Sequence, residues 1–175
     1  SLKTSHLFDS YPLRGVEFRN RIWVSPMCQY SAHDGLIGPW HMVHLGSFAV
    51  GGAGLVMVEA TGVVPEGRIS VGCVGLWRDD QAEAFRSIIE FVHSQGARIG
   101  IQLAHAGRKG STTRPGSDHA IAHDAEGGWQ TVSASEIAFH GMPTPRSMSS
   151  AEIHATTQAW GTAAKRALAV GFDVI

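Results

Sequence analysis

Three short strings in this chain gather side chains able to act on a bound small molecule. Ser25-Pro26-Met27-Cys28-Gln29-Tyr30 supplies a hydroxyl, a thiol and a phenol, and Gln102-Leu103-Ala104-His105-Ala106-Gly107-Arg108 supplies a carboxamide and an imidazole. Glu59-Ala60-Thr61 lies between them in sequence. Each string closes a short apolar run, so if the runs are parallel strands of a barrel, the three ends converge on one mouth. Such a mouth is a bed for a cofactor and its substrate.

Other groups of reactive residues point less clearly. Neither GxGxxG nor GxxxxGK[ST] occurs, which removes the two commonest glycine cradles for phosphate. Gly51-Gly52-Ala53-Gly54 precedes a strand, where a dinucleotide fingerprint follows one, so it reads as a helix stop. His41 and His44 stand three apart on a predicted helix, a spacing close to that of metal ligands. No Glu completes an HExxH frame and no third ligand is evident, so the pair reads as a polar face or an outer hydrogen-bonding layer, and no metal centre is expected. His6, His33, His93, His119, His123, His140 and His154 read as scattered and solvated. Cys28 and Cys73 are too few and too far apart in sequence for a disulfide framework, and read as free thiols in a reducing compartment.

The elements that must position these groups follow from the apolar patterning. Residues 21–27, 54–60, 98–104 and 172–175 are nearly continuous hydrophobic runs, as strands buried on both faces of a parallel sheet are. Between them, helices are predicted over residues 39–50, then from Asp79 or Asp80 as cap to a stop at Gly96. A third runs from a capping box of Ser149 and Glu152 to a stop at Gly171. Three βα units and the start of a fourth strand emerge, compatible with a doubly wound sheet or with a (β/α)8 barrel. The long stretch from Gly107 to Met148, rich in Gly, Pro, Ser and His, favours the barrel, whose active sites are built from loops after the strands.

Composition narrows the function classes. A chain of 175 residues that is 43% hydrophobic and 17% charged has material for one domain or part of one. Its net charge of −1 and lack of basic runs argue against nucleic acid and anionic membranes as partners. No segment approaches the roughly 20 apolar residues of a membrane span, and the N-terminal stretch lacks a secretory core. A cytoplasmic protein with a small-molecule substrate is expected.

Five strings together resemble one family. SPMCQYS at 25–31, VEATGVVPEGRI at 58–69 and IQLAHAGRK at 101–109 are similar to the Old Yellow Enzyme family, in particular its cysteine-containing bacterial subclass of xenobiotic reductase type. The opening LFDSYPLRGVEFRNRI and the closing AAKRALAVGFDVI follow the same pattern. The resemblance implies an α/β fold, a (β/α)8 TIM barrel of which residues 1–175 cover about the first half of a single FMN-binding domain. It further implies an NAD(P)H-dependent ene-reductase, in which NADPH or NADH reduces FMN and hydride then passes to the β-carbon of an enone, quinone or nitro compound.

By that resemblance Ser25, Pro26, Met27 and Cys28 border the flavin ring and ribityl chain, with Cys28 placed to shift the reduction potential. Read alone, Cys28 is also compatible with a small buried hydrophobe. Ala60 matches a position that offers its backbone to the isoalloxazine, Gln102 a carboxamide on the pyrimidine edge, and Tyr30 a phenol that binds the substrate carbonyl. Arg108 and Lys109 either guide a nicotinamide phosphate or are solvated. The family's substrate-holding His-x-x-His or His-x-x-Asn pair and its FMN phosphate site would lie beyond Ile175. An isolated half is therefore expected to hold FMN poorly, and to form a homo-oligomer or to associate with the missing C-terminal half. Two rival readings remain: a non-catalytic half-barrel module, and a relative of the iron-sulfur dienoyl reductases.

Overall fold

The computed structural model describes residues 6–175; residues 1–5, part of the stretch read as lacking a secretory core, lie outside the described residues. The chain begins with a feature absent from the predicted elements, an antiparallel hairpin of β1 (Tyr11–Leu13) and β2 (Val16–Phe18). Its two-residue connection puts Arg14 at φ 54, a conformation that costs most L-residues about 1 kcal/mol. The hairpin is short and only Phe18 is fully buried, so the strand periodicity that would announce it is weak.

A parallel sheet follows, in the order β3 (Trp23–Val24), β4 (Leu55–Gly62) and β5 (Arg98–Ala104). Gly100 then bridges Val174 in parallel, so the next strand position lies beside β5. A doubly wound sheet reverses its strand order at a switch point, whereas these four positions run in sequence order, as in a barrel. The predicted runs at 54–60 and 98–104 are strands, but the run at 21–27 contracts to two residues. Beyond Val24, Pro26 cannot donate to a ladder, and the chain leaves the sheet as a loop.

Three helical segments cover one face of the sheet. α1 (Pro39–Val50) occupies the predicted residues and buries Leu45 and Ala49. The second helix is broken into α2 (Asp79–Ala84) and α3 (Arg86–Ser94), with Phe85 buried at the joint. Its cap also differs from the prediction. Arg78 is the N-cap, the Gln81 carboxamide accepts from the Trp77 and Arg78 amides, and Asp79 and Asp80 lie inside the first turn, where their charge complements the helix dipole. α3 has nine residues, too few for stability in isolation, so burial of Ile88, Ile89 and Val92 must hold it, at about 1.5–3 kcal/mol each.

α4 (Ser150–Val170) starts and stops at the predicted caps. Ser149 Oγ accepts from Glu152 N at 3.3 Å, Glu152 returns the bond to Ser149 N at 2.7 Å, and Gly171 ends the helix at φ 108. Val56, Val58, Ile99 and Ile101 pack beneath these helices with Phe85, Val92, Ala163, Ala167 and Phe172. Because side chains alternate along a strand, residues between these positions, such as Gly100 and Gln102, face away from the helices toward a barrel interior. Among the described residues no helix is long and apolar enough to cross a membrane.

Candidate functional site

The C-terminal strand ends do meet. Ala60 pairs directly with Gln102 across β4 and β5, past an irregularity between Val58 and Ala60 that shifts the register. The Ala60 backbone also lies beside the Cys28 thiol and favours its ionised form, which brings the loop after β3 to the same place. The Gln102 carboxamide, the Ser25 hydroxyl and the Tyr30 phenol make no hydrogen bond to another described residue, so their polar atoms are available to a ligand. Met27 is 42% exposed on the same loop, while Pro26 is half-buried.

Tyr30 is held in an uncommon backbone conformation, φ 53, which persists only because its surroundings determine it. Arg114 Nε donates to the Tyr30 carbonyl at 2.9 Å, and another nitrogen of the same guanidinium donates to the Ala32 carbonyl at 2.9 Å. Ala32 N donates to Gly72 O at 2.9 Å, sealing the other side. Burial, followed by the neighbouring thiols and Glu59, pushes the Tyr30 phenol up from its ordinary value, so it remains a proton-bearing donor throughout the neutral range.

Beneath the loop lies a buried carboxylate. Glu59 is 3% exposed within a largely apolar strand, and its Oε2 accepts from Gln29 N at 3.1 Å. Its Oε1 stands 3.3 Å from His41 Nε2, whose side chain is 1% exposed. His41 Nδ1 accepts from Gly38 N at 3.0 Å, which leaves the ring proton on Nε2, directed at the carboxylate side. That contact is long and poorly aligned, since Nε2 lacks a well-formed hydrogen bond, so its character is electrostatic more than directional. Trp40 Nε1 completes the support by donating to Gln29 Oε1 at 2.9 Å. His41 therefore lies under the site as an outer hydrogen-bonding residue, while His44 is half-buried between Trp40 and Phe48.

The two cysteines, distant in sequence, are neighbours here that perturb each other's ionisation, and both are free thiols. Cys73 is 1% exposed and receives a bond from Ser70 N at 3.4 Å; Cys28 is half-exposed. A shared proton lowers one thiol and raises the other. The Cys73 hydrogen bond, against burial and the Glu59 charge, brings Cys28 down to about 7, and the reverse of that bond together with burial pushes Cys73 up. Cys28 is the one that ionises because its anion is the better solvated. The sign is then fixed: thiolate accumulates as pH rises through about 7. Iodoacetamide should modify Cys28 with a rate that climbs through this pH and has nearly levelled where an ordinary thiol of about 8.5 is still half-ionised. Cys73→Ala should move the profile upward; an unshifted profile would remove Cys73 as the cause.

The remaining candidates divide. His105 accepts from Gly107 N at 3.1 Å through Nδ1, and its buried Nε2 has no partner among the described residues. Burial pushes its pKa down, keeping it neutral. Arg108 donates to Ser133 and Ser135 hydroxyls and to the Ile137 carbonyl, which commits its guanidinium to bracing the long loop. Lys109 lies 4.1 Å from the Phe139 ring centre. His119 and His123, read as scattered, are stacked, and with Glu126 place ligand atoms within 4.8 Å of one another on the exposed surface. His119 also borders a cleft of about 370 Å³ shared with Tyr30 and Arg114. Cys73 and Arg114 were missed as site residues because nothing local marks them. Glu59 carried a readable signal, an acid in a buried strand.

A family model described as the NADH:flavin oxidoreductase / NADH oxidase family matches residues 6–175. An NADH:flavin oxidoreductase of Gibberella zeae is 45% identical over 98% of this chain, and an NADPH dehydrogenase of Geobacillus thermodenitrificans is 43% identical over 97%. The chain spans 43% and 46% of their respective lengths. Among solved structures, morphinone reductase superposes with a TM-score of 0.80 at 28% identity, over 96% of this chain and 46% of its own. An old yellow enzyme homologue from Zymomonas mobilis gives 0.75 at 29%, over 96% and 47%.

Proposed function

Because this chain belongs to the NADH:flavin oxidoreductase / NADH oxidase family, we propose that it builds one side of an FMN site in an ene-reductase that uses NADPH or NADH. The observation that carries this reading is the alignment of Cys28, Ala60 and Gln102 at one end of a parallel sheet, beside polar groups without partners. A carboxamide such as Gln102 offers one donor and one acceptor face, which suits the alternating donors and acceptors on the pyrimidine edge of a flavin. When bound, FMN supplies hydride chemistry, accepting from a reduced nicotinamide and donating to an activated alkene.

In this reading Ser25, Pro26 and Met27 line the ring, Ala60 offers its backbone to it, and the Cys28 thiol tunes its potential as in the cysteine-containing bacterial subclass. Tyr30 polarises the substrate by donating from its phenol to a carbonyl or nitro oxygen. The raised phenol pKa keeps that proton in place. Trp23 is exposed on the edge strand β3, and further strands, from this polypeptide or another, pair with that edge to complete the barrel.

The test uses the complete flavoenzyme carrying this chain. Tyr30→Phe should slow enone reduction about fivefold to 150-fold, the loss of one hydrogen bond of about 1–3 kcal/mol, and leave nicotinamide oxidation nearly unchanged. Equal slowing of both half-reactions would make Tyr30 a flavin-positioning residue instead. A purified enzyme without the visible absorption bands of oxidised flavin would defeat the whole reading.

A further inference from the structure

We propose that Cys28 and Cys73 form a peroxide-reactive dithiol, with Cys28 attacking a hydroperoxide and Cys73 resolving the product as an intrachain disulfide. This rests on the chain's own residues and does not require that the flavin reading be correct.

The geometry supports it from both sides. Cys28 is half-exposed on the loop after β3, Cys73 is shielded from solvent, and the two thiols lie near enough for each to perturb the other's ionisation. The backbones that carry them are fixed together. Ala32 N donates to Gly72 O at 2.9 Å, and Gly72 lies so near Tyr30 that a β-carbon on it would stand 2.4 Å from the Tyr30 carbonyl oxygen. Arg114 clamps Tyr30 and Ala32 from the far side, while Gly62 N donates to Val74 O and Leu76 N to Gly62 O, zipping the segment after Cys73 onto β4. An accessible, readily ionised thiol beside a protected one is the arrangement in which a sulfenic acid is captured before further oxidation.

The chemistry balances without a cofactor. The Cys28 thiolate attacks one oxygen of hydrogen peroxide, the O–O bond breaks, and hydroxide leaves to be protonated, giving sulfenic acid. Cys73 then loses its proton as its sulfur attacks the Cys28 sulfur; the S–S bond forms, the S–O bond breaks, and water departs. Two electrons pass from the dithiol to the peroxide, and two waters are formed. Closing the bridge removes the thiol that faces the ligand bed.

The experiment treats the purified protein with equimolar hydrogen peroxide and follows intact mass, thiol alkylation and peptide mapping. The expected product has lost two hydrogens, joins the Cys28 and Cys73 peptides within one chain, and recovers both thiols in dithiothreitol. In Cys73→Ala, and in Cys73→Ser should the alanine variant fold poorly, no bridge forms and Cys28 is trapped by dimedone as sulfenic acid. Oxygen addition at Cys28 with Cys73 still alkylatable after denaturation would overturn the proposal. So would an intermolecular bridge, or no reaction at all.

Discussion

Glu59→Ala should lower the unfolding temperature by about 6–12 °C, corresponding to a loss of about 3 kcal/mol in a chain of this size. The carboxylate serves a half-buried backbone amide and a fully buried ring. With alanine in its place, the Gln29 amide loses its 3.1 Å acceptor and the His41 ring nitrogen faces an empty apolar space. The loop from Cys28 to Tyr30 then loses its lower anchor, so the defect should also appear at the ligand bed as weaker flavin binding in the complete enzyme. Glu59→Gln separates the contributions. It preserves volume and one acceptor, so its loss should be smaller, and because it removes the charge that opposes Cys28 ionisation, alkylation of Cys28 should shift to lower pH. Thermal unfolding and iodoacetamide kinetics on the two variants check this. An unfolding temperature unchanged in Glu59→Ala would show that the loop is held from above alone.

Gly72→Val should be nearly as damaging, for a steric reason. A β-carbon here would meet the Tyr30 oxygen at 2.4 Å, Arg114 Nε at 2.6 Å and the Tyr30 carbonyl carbon at 2.8 Å. Two of these are backbone atoms of a residue already in a left-handed conformation, so rotation of a flexible side chain cannot relieve the clash. The loop must move, at a cost of about 1–3 kcal/mol, and Tyr30 and Cys28 move with it. The expected signature is a lowered unfolding temperature together with slower peroxide-driven bridging, because the two thiols separate. Gly15→Ala is the matched control, since nothing lies within 4 Å of a β-carbon there, and it should change stability by less than about 0.5 kcal/mol. Equal effects at Gly15 and Gly72 would discard the packing argument.

What the amino-acid order determined by itself is what a few neighbouring residues decide together. α1 occupies residues 39–50 as read, and α4 begins at Ser149 with Glu152 and ends at Gly171, because a cap is a bargain among groups within one turn. The long apolar runs became β4 and β5, and their ends supplied Ala60 and Gln102, since burial on both faces leaves a continuous hydrophobic signature. The break at Phe85 and the Gln81-centred cap escaped, because two acidic residues beside the true cap present an equally good local signal. Cys73, Arg114 and the His41–Glu59 contact belong to the tertiary structure alone. Arg114 reaches the Tyr30 carbonyl across 84 residues, and Glu59 reaches Gln29 across 30. No periodicity encodes such meetings. They follow from parallel pairing, which stacks strand ends that are remote in sequence, and from a register shift between Val58 and Ala60 that sets which residues stand opposite one another.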